Sequence, residues 1–298
     1  MKIVVTGARG FVGRKLCIEL VSAGHEVIAV DLAGAPSENT PEGYGYVQAD
    51  TTREGEWQDE VAGADGVVNL AGVSIFKRWN DKYKTLILSS RVLTTRRVVE
   101  ALPENAVLVS ASAVGYYGWT GERDVVEGDG PGDDFLARVC VKWESEAEKA
   151  GDKGARVVPT RFGIVLDEGG GALAQMHLPF KMGLGGPIGD GSQWFPWIHR
   201  GDLVRALVFC LENRKITGPV NCCSPEPVRN RELAKTLGSV LGRPAFIPVP
   251  EFAVKLVMGE MGEAVLHGQK AFPEKLLDHG FTFGYPDLEH ALRACLKA

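Results

Sequence analysis

The sequence predicts an α/β fold, a doubly wound parallel sheet with a smaller C-terminal region. Three observations predict it. Short apolar runs recur along the first half and are apolar throughout rather than alternating, as strands buried on both faces are. Helical patterns separate these runs, and strand–helix alternation builds a parallel sheet covered on both sides. The first run passes directly into a turn with glycines at 7, 10 and 13.

Ile3-Val4-Val5 is the first strand, and the amphipathic stretch from Phe11 to Ala23 follows its turn. Val27 to Val30, Tyr46-Val47-Gln48, Gly66 to Leu70 and Ala106 to Ser110 are the next four strands. Helices are expected from Lys84 to Leu102 and from Asp134 to Ala150, the latter capped by Asp133 or Asp134 and stopped by Gly151. A sixth strand run covers Val157 to Leu166. From Gly169 to Gly191 the chain is dense in glycine, with Pro179 and Pro187 among them, and Trp194, Phe195 and Trp197 follow. This stretch reads as a long shaped loop rather than a linker. Leu203 to Leu211 returns to a helical pattern, Val220-Asn221-Cys222 is one more strand, and at least three helical segments follow Arg231.

At 298 residues the chain is long enough for one large or two closely joined domains. Lys+Arg 33 against Asp+Glu 38 leaves a net charge of −5, which argues against a nucleic-acid or anionic-membrane binder. No apolar run approaches the roughly 18 residues of a membrane span. The apolar stretch after Met1-Lys2 breaks too soon for a secretory signal. Six cysteines without a CxxC pair point to reduced thiols and a cytoplasmic location. Six scattered histidines form no ligand cluster, so no metal is expected, and there is no GxSxG hydrolase signature.

Chemistry enters at Thr6-Gly7-Ala8-Arg9-Gly10-Phe11-Val12-Gly13. This GxxGxxG turn between a strand and a helix allows close approach of a pyrophosphate to backbone, with the helix N-terminus aimed at it. Asp31 ends the second strand 18 residues after Gly13. Strand, glycine turn, helix and acidic residue together indicate dinucleotide binding. Asp31 is placed to accept from the adenosine ribose hydroxyls, which favours NAD(H); its plainer role is to cap a loop. Arg9 pulls toward NADP(H), the alternative cofactor, by reaching for a 2′-phosphate. A carboxylate repels that phosphate on the scale of ~4 kcal/mol per charge pair at 4 Å. Asp50 and Thr51 are candidates at the adenine, or an ordinary turn. Leu70, Ala71 and Gly72 end the fourth strand with small residues over which a cofactor can lie, at a carboxyl strand end.

These residues, with Arg78-Trp79-Asn80, Ser89-Ser90-Arg91, SASAVGYYG (residues 110–118), LPFKMGLGGPIGDG (residues 178–191), FPWIH (residues 195–199) and Gly268-Gln269-Lys270, resemble the extended short-chain dehydrogenase/reductase superfamily. More narrowly, the resemblance is to its atypical, YfcH-like epimerase-family members, and it covers nearly the whole chain. It implies a Rossmann-like cofactor half and a smaller substrate half. It also implies a catalytic set of Ser or Thr followed by Tyr-x-x-x-Lys, in which the phenol is the acid/base and the lysine holds the nicotinamide ribose. Ser112 matches the serine and Lys142 the lysine. Arg138 stands at the tyrosine position, and arginine cannot shuttle a proton at neutral pH.

Two repairs present themselves. Tyr116 or Tyr117 supplies a phenol from the loop, or Arg138 binds a substrate carboxylate or phosphate with its planar fork. The plain alternative is that both tyrosines pack and Arg138 pairs with Glu122 or Asp134. Phe162 and Gly163 lie beside the nicotinamide in related proteins, and Arg161 before them is equally a structural ion-pair partner. Trp197 and His199 are substrate-side candidates, set against a structural role for the histidine, and Asp202 is expected to cap the following helix. Residues 1–168, with a returning segment 198–224, are expected to form the dinucleotide-binding domain; 169–197 and 225–298 are expected to cover the substrate. The reading is an NAD(P)-dependent oxidoreductase or epimerase-like enzyme acting on a small carbonyl or hydroxyl compound or a nucleotide-sugar. Its rivals are a dinucleotide-binding sensor without turnover and an interaction scaffold. Pairing of two copies through the helices carrying Arg91 and Lys142 is implied by the resemblance alone.

Overall fold

The computed structural model describes residues 1–35 and 42–296. The first half runs β1 (Lys2–Thr6), α1 (Gly13–Ser22), β2 (Glu26–Asp31), β3 (Tyr44–Gln48), α2 (Trp57–Ala62), β4 (Gly66–Asn69) and α3 (Asp81–Ala101). It continues with β5 (Val107–Ala113), a 3-10 turn (Val114–Tyr117), β6 (Asp124–Val125), α4 (Phe135–Glu148) and β7 (Arg156–Phe162). The second half contains β8 (Ile164–Asp167), α5 (Gly171–Lys181), β9 (Trp194–Phe195), β10 (Trp197–His199), α6 (Arg200–Glu212) and β11 (Val220–Cys222). After these come β12 (Val228–Arg229), α7 (Asn230–Leu241), α8 (Glu251–Met258), α9 (Met261–Leu266), β13 (Lys270–Ala271), α10 (Glu274–Asp278) and α11 (Leu288–Leu296).

Seven strands form one parallel sheet in the order β11-β7-β5-β4-β1-β2-β3. Strand order reverses between β1 and β4, and it is outside the carboxyl ends at such a reversal that sheets of this architecture bind ligands. One face is covered by α1 and α6, through Leu16, Leu20, Leu203 and Leu207. The other is covered by α2, α3 and α4, through Trp57, Val61, Val98 and Ala147. Each such fully buried Leu or Val contributes about 1.5–3 kcal/mol. A separate cluster joins α5, α7 and α11 through Leu173, Phe180, Leu233, Leu237 and Leu292.

Local chemistry explains where the boundaries depart from expectation. The third helix starts at Asp81 rather than Lys84 because the Asn80 side chain accepts from Tyr83 N at 2.8 Å. Asp134 caps α4 by accepting from Ala137 N at 2.9 Å, and the chain continues in a 3-10 turn past Gly151 to stop at left-handed Gly154. Gly163 splits the sixth run into β7 and β8, since a Cβ there would lie 2.9 Å from Pro196 O. The expected loop from 169 to 197 contains an 11-residue helix, α5. Leu173 and Phe180, seven residues apart, share its buried face, and that burial outweighs Pro179, which falls in the last turn. No helix among the described residues is long and apolar enough to cross a membrane.

Candidate functional site

The glycine turn is built by backbone contacts. Gly7 has φ +67, and a Cβ there would lie 2.9 Å from Ala71 N and Leu70 C, so the turn is pressed against the end of β4. A Cβ on Gly13 would come within 2.3 Å of Gly7 O, which lets α1 start directly under the turn. Val12 at the N-cap has no side chain able to cap α1; Arg14 N donates to Gly10 O at 3.2 Å, and no side chain caps the N–H of Gly13 before it. Phe11 packs against Gly170 and Gly171 and carries the Arg200 guanidinium 4.8 Å over its ring. Thr6 Oγ donates to Asn69 Oδ1 at 2.6 Å, and Asn69 Nδ2 donates to Thr95 Oγ at 2.8 Å, pinning the end of β4.

Asp31 braces this turn. Its Oδ2 accepts from Arg9 N at 2.9 Å and its Oδ1 from Ala33 N at 3.0 Å, which leaves each oxygen one further lone pair. The Arg9 side chain folds onto Gly34 O at 2.6 Å. Asp50 closes its own turn, accepting from Thr52 N and Oγ, and the Thr52 hydroxyl holds its carboxyl below the usual range. Thr51 is buried and shares a hydrogen bond with Thr94 at 2.9 Å. The Asp50–Thr51 segment is thus held by its own turn and by α3.

At the end of β5 the expected serine–lysine arrangement is replaced. Arg138 and Lys142 are both exposed, and the Arg138 guanidinium donates back to Asp133 O. The face of α4 toward β5 carries Cys140 and Glu144 instead. Residues two apart on a helix point about 200° away from each other, so a pair shifted by two turns to the opposite face. The inward set is fixed by Ala137, Cys140, Trp143 and Ala147, whose spacing makes the buried stripe.

Ser112 Oγ donates to Glu144 Oε1 at 2.5 Å. Arg161 clamps the same carboxylate from two nitrogens at 2.9 and 2.8 Å, and its Nη1 donates to Tyr117 OH at 2.9 Å. Tyr117 OH in turn donates to Asn221 Oδ1 at 2.8 Å. The guanidinium also lies 3.5 Å over the Tyr116 ring. Ser112, Glu144, Arg161, Tyr117 and Asn221 are all at most 5% exposed. Burial works against the Arg161 charge, yet its bonds to Glu144 outweigh this and hold its pKa above the ordinary arginine value. Burial raises both tyrosine hydroxyls above the usual phenol value, Tyr117 most, against the pull of Arg161. Burial, with Glu144 nearby, pushes the Cys140 thiol up to about 12.

Residues 3–223 match the NAD dependent epimerase/dehydratase family. The chain belongs to that family. Residues 249–295 match a domain of unknown function. The chloroplastic epimerase family protein SDR39U1 homolog of Arabidopsis thaliana is 42% identical over 100% of this chain and 87% of its own length. The Bacillus subtilis epimerase family protein YfhF is 40% identical over 98% of this chain and 97% of its own. The crystal structure of human SDR39U1 (isoform 2) with NADPH matches with a TM-score of 0.88 at 37% identity, covering 100% of this chain and 99% of that one. A Thermus thermophilus UDP-glucose 4-epimerase with NAD, at 22% identity and TM-score 0.80, covering 100% of this chain and 98% of that one, shares the fold. NADPH and NAD are thus both present among these similar structures.

Two substrate-side expectations fall in the packed interior of this epimerase-family chain. Trp197 is fully buried and donates from Nε1 to Glu226 O at 3.2 Å. His199 caps α6 by accepting from Gly201 N at 3.1 Å and stacks on Tyr285 at 3.8 Å. Burial pulls its pKa down to about 4, so it stays neutral at pH 7. Asp202, expected as that cap, instead accepts from Gly284 N and Tyr285 N at 3.0 and 2.8 Å. Phe162 packs into the core beneath the sheet end and Gly163 N donates to Cys222 O at 2.9 Å. Sequence reasoning missed Glu144, Cys140 and Asn221. One signal for Glu144 was available: it is an acid spaced four from Cys140 and three from Ala147, on an otherwise apolar stripe.

Proposed function

We propose that this chain is a nicotinamide-dinucleotide-dependent oxidoreductase of epimerase type, acting on a hydroxyl or carbonyl carbon. The observation that carries the reading is the glycine turn, whose backbone leaves no room for side chains and whose helix start has no side-chain cap. That cradle fits a pyrophosphate. Gly7, Arg9, Gly10, Phe11, Val12 and Gly13 would hold it by backbone, Asp31 the adenosine ribose, and Leu70, Ala71 and Gly72 the nicotinamide side. When bound, the dinucleotide supplies or accepts hydride. Ser112, having given its proton to Glu144 in a hydrogen bond, presents oxygen lone pairs to a substrate hydroxyl and orients it. Glu144, locked by Arg161, fixes that direction; Arg161 itself is occupied and takes no proton.

Asp31 sets the cofactor preference in this reading, because a 2′-phosphate would face its carboxylate while Arg9 is engaged on Gly34. Fluorescence titration of the purified protein with NADH and NADPH tests both claims. NADH is expected to bind at least tenfold tighter; equal affinity removes the role of Asp31, and no binding of either removes the enzyme reading. One observation favours a second reading, a dinucleotide sensor without turnover. The inward face of α4 carries no phenol, and burial pushes its Cys140 thiol up to about 12, so that thiol does not exchange a proton near neutrality. Oxidation of NADH in the presence of a carbonyl or nucleotide-sugar panel separates the two.

A further inference from the structure

Arg91, in the middle of α3, differs from Arg161, the buried arginine of the Ser112 cluster. Arg161 is chelated by Glu144 through two nitrogens. Arg91 makes no ion pair among the described residues, and its one protein acceptor is Ile87 O, 3.0 Å from Nη1. Among the described residues Nε and Nη2 have no hydrogen-bond partner, and neither is a fully sealed, unsatisfied atom. The guanidinium is nevertheless held in place. It lies 5.1 Å over the Trp143 ring, and a Cβ on Gly72 would meet its Cγ and Cζ at 3.2 Å. Burial pulls its pKa below the ordinary arginine value, as it does for a cation without a counter-ion.

Its location gives this unpaired cation a use. Gly72 follows Leu70 and Ala71, the residues pressed against Gly7, so Arg91 lies against the same chain segment that packs on the glycine turn. Trp143, under the guanidinium, neighbours Glu144, which holds Ser112 on the other side. A molecule lying from the glycine turn toward Ser112 passes Arg91. We propose that Arg91 binds the nicotinamide half of the dinucleotide, donating from Nε and Nη2 to the ribose hydroxyls and the phosphate oxygen beside them. It thereby fills from α3 the place that the family resemblance gives to a lysine on α4, where Lys142 points to solvent. The inference rests on the dinucleotide reading above.

Binding, without any substrate, tests it. NADH and NADPH are titrated into wild type, Arg91→Ala and Arg91→Lys, and ADP is competed against NADH as a probe of the adenosine half alone. Loss of charge-assisted hydrogen bonds predicts roughly 10- to 100-fold weaker binding of the whole dinucleotide by Arg91→Ala. ADP affinity is expected to stay within about twofold, and Arg91→Lys to recover part of the loss, since it keeps the charge but not the fork. Unchanged dinucleotide affinity in Arg91→Ala overturns the assignment, as does a proportional loss of ADP. If Arg91→Ala loses its fold through the missing contact with Trp143, Arg91→Gln, which keeps the stem, is read in its place. A wild type that binds neither dinucleotide removes the parent reading and this one with it, a result distinct from failure in the Arg91 comparison alone.

Discussion

The glycine turn and the Ser112 cluster sit at the carboxyl ends of β1 and β5, with β4 between them, but are made in different ways. In the turn, backbone supplies the contacts: Gly7 and Gly13 matter because a Cβ would strike Ala71 N or Gly7 O. In the cluster, side chains supply most of the contacts, and Glu144 alone receives hydrogen bonds from Ser112 and Arg161. A site of the first kind tolerates change in the residues around its glycines. A site of the second kind depends on every member, because a buried charge that loses its partner is left desolvated.

The largest effect separating the two is expected from Glu144→Ala. It leaves Arg161 buried and unpaired, which costs about 3–5 kcal/mol of stability, read by urea or thermal denaturation; Glu144→Gln should lose less. A loss below about 1 kcal/mol, the ordinary size of a point substitution, would mean that the cluster is hydrated rather than sealed. Gly13→Ala should show the opposite balance. Overpacking against Gly7 O costs about 1–3 kcal/mol of stability, while dinucleotide affinity drops by more than tenfold as the turn shifts. If affinity survives, the turn is more plastic than its contacts indicate. The smallest effects are expected from Lys142→Ala and Arg138→Ala, whose side chains are exposed. Stability should change by no more than about 0.5 kcal/mol and dinucleotide affinity by less than about twofold. A large loss of binding in Lys142→Ala would restore the lysine role implied by the resemblance.

The same contrast governs what could be read in advance. The alternation of strands and helices, the glycine turn and Asp31 at the end of β2 are local in the chain and follow from periodicity and backbone sterics. The expected shaped loop became α5 because Leu173 and Phe180 find partners on α7, α8's neighbour in sequence, and α11, far along the chain. Trp197 and His199 look like pocket residues in a string of aromatics, but strand pairing of β10 with β8 draws them inside.

Sequence alone determined the parallel α/β architecture and the place of the glycine turn, since both depend on residues within one or two turns of each other. Only the tertiary structure decided the side chains around Ser112. The phase of α4 is set by which stripe packs on the sheet, and a two-residue error in that phase exchanges Cys140 and Glu144 for Arg138 and Lys142. The partners are also remote: Ser112 and Glu144 are 32 residues apart, Arg161 and Tyr117 are 44, and Tyr117 and Asn221 are 104. No local pattern specifies such pairs; burial of polar groups that must find one another does.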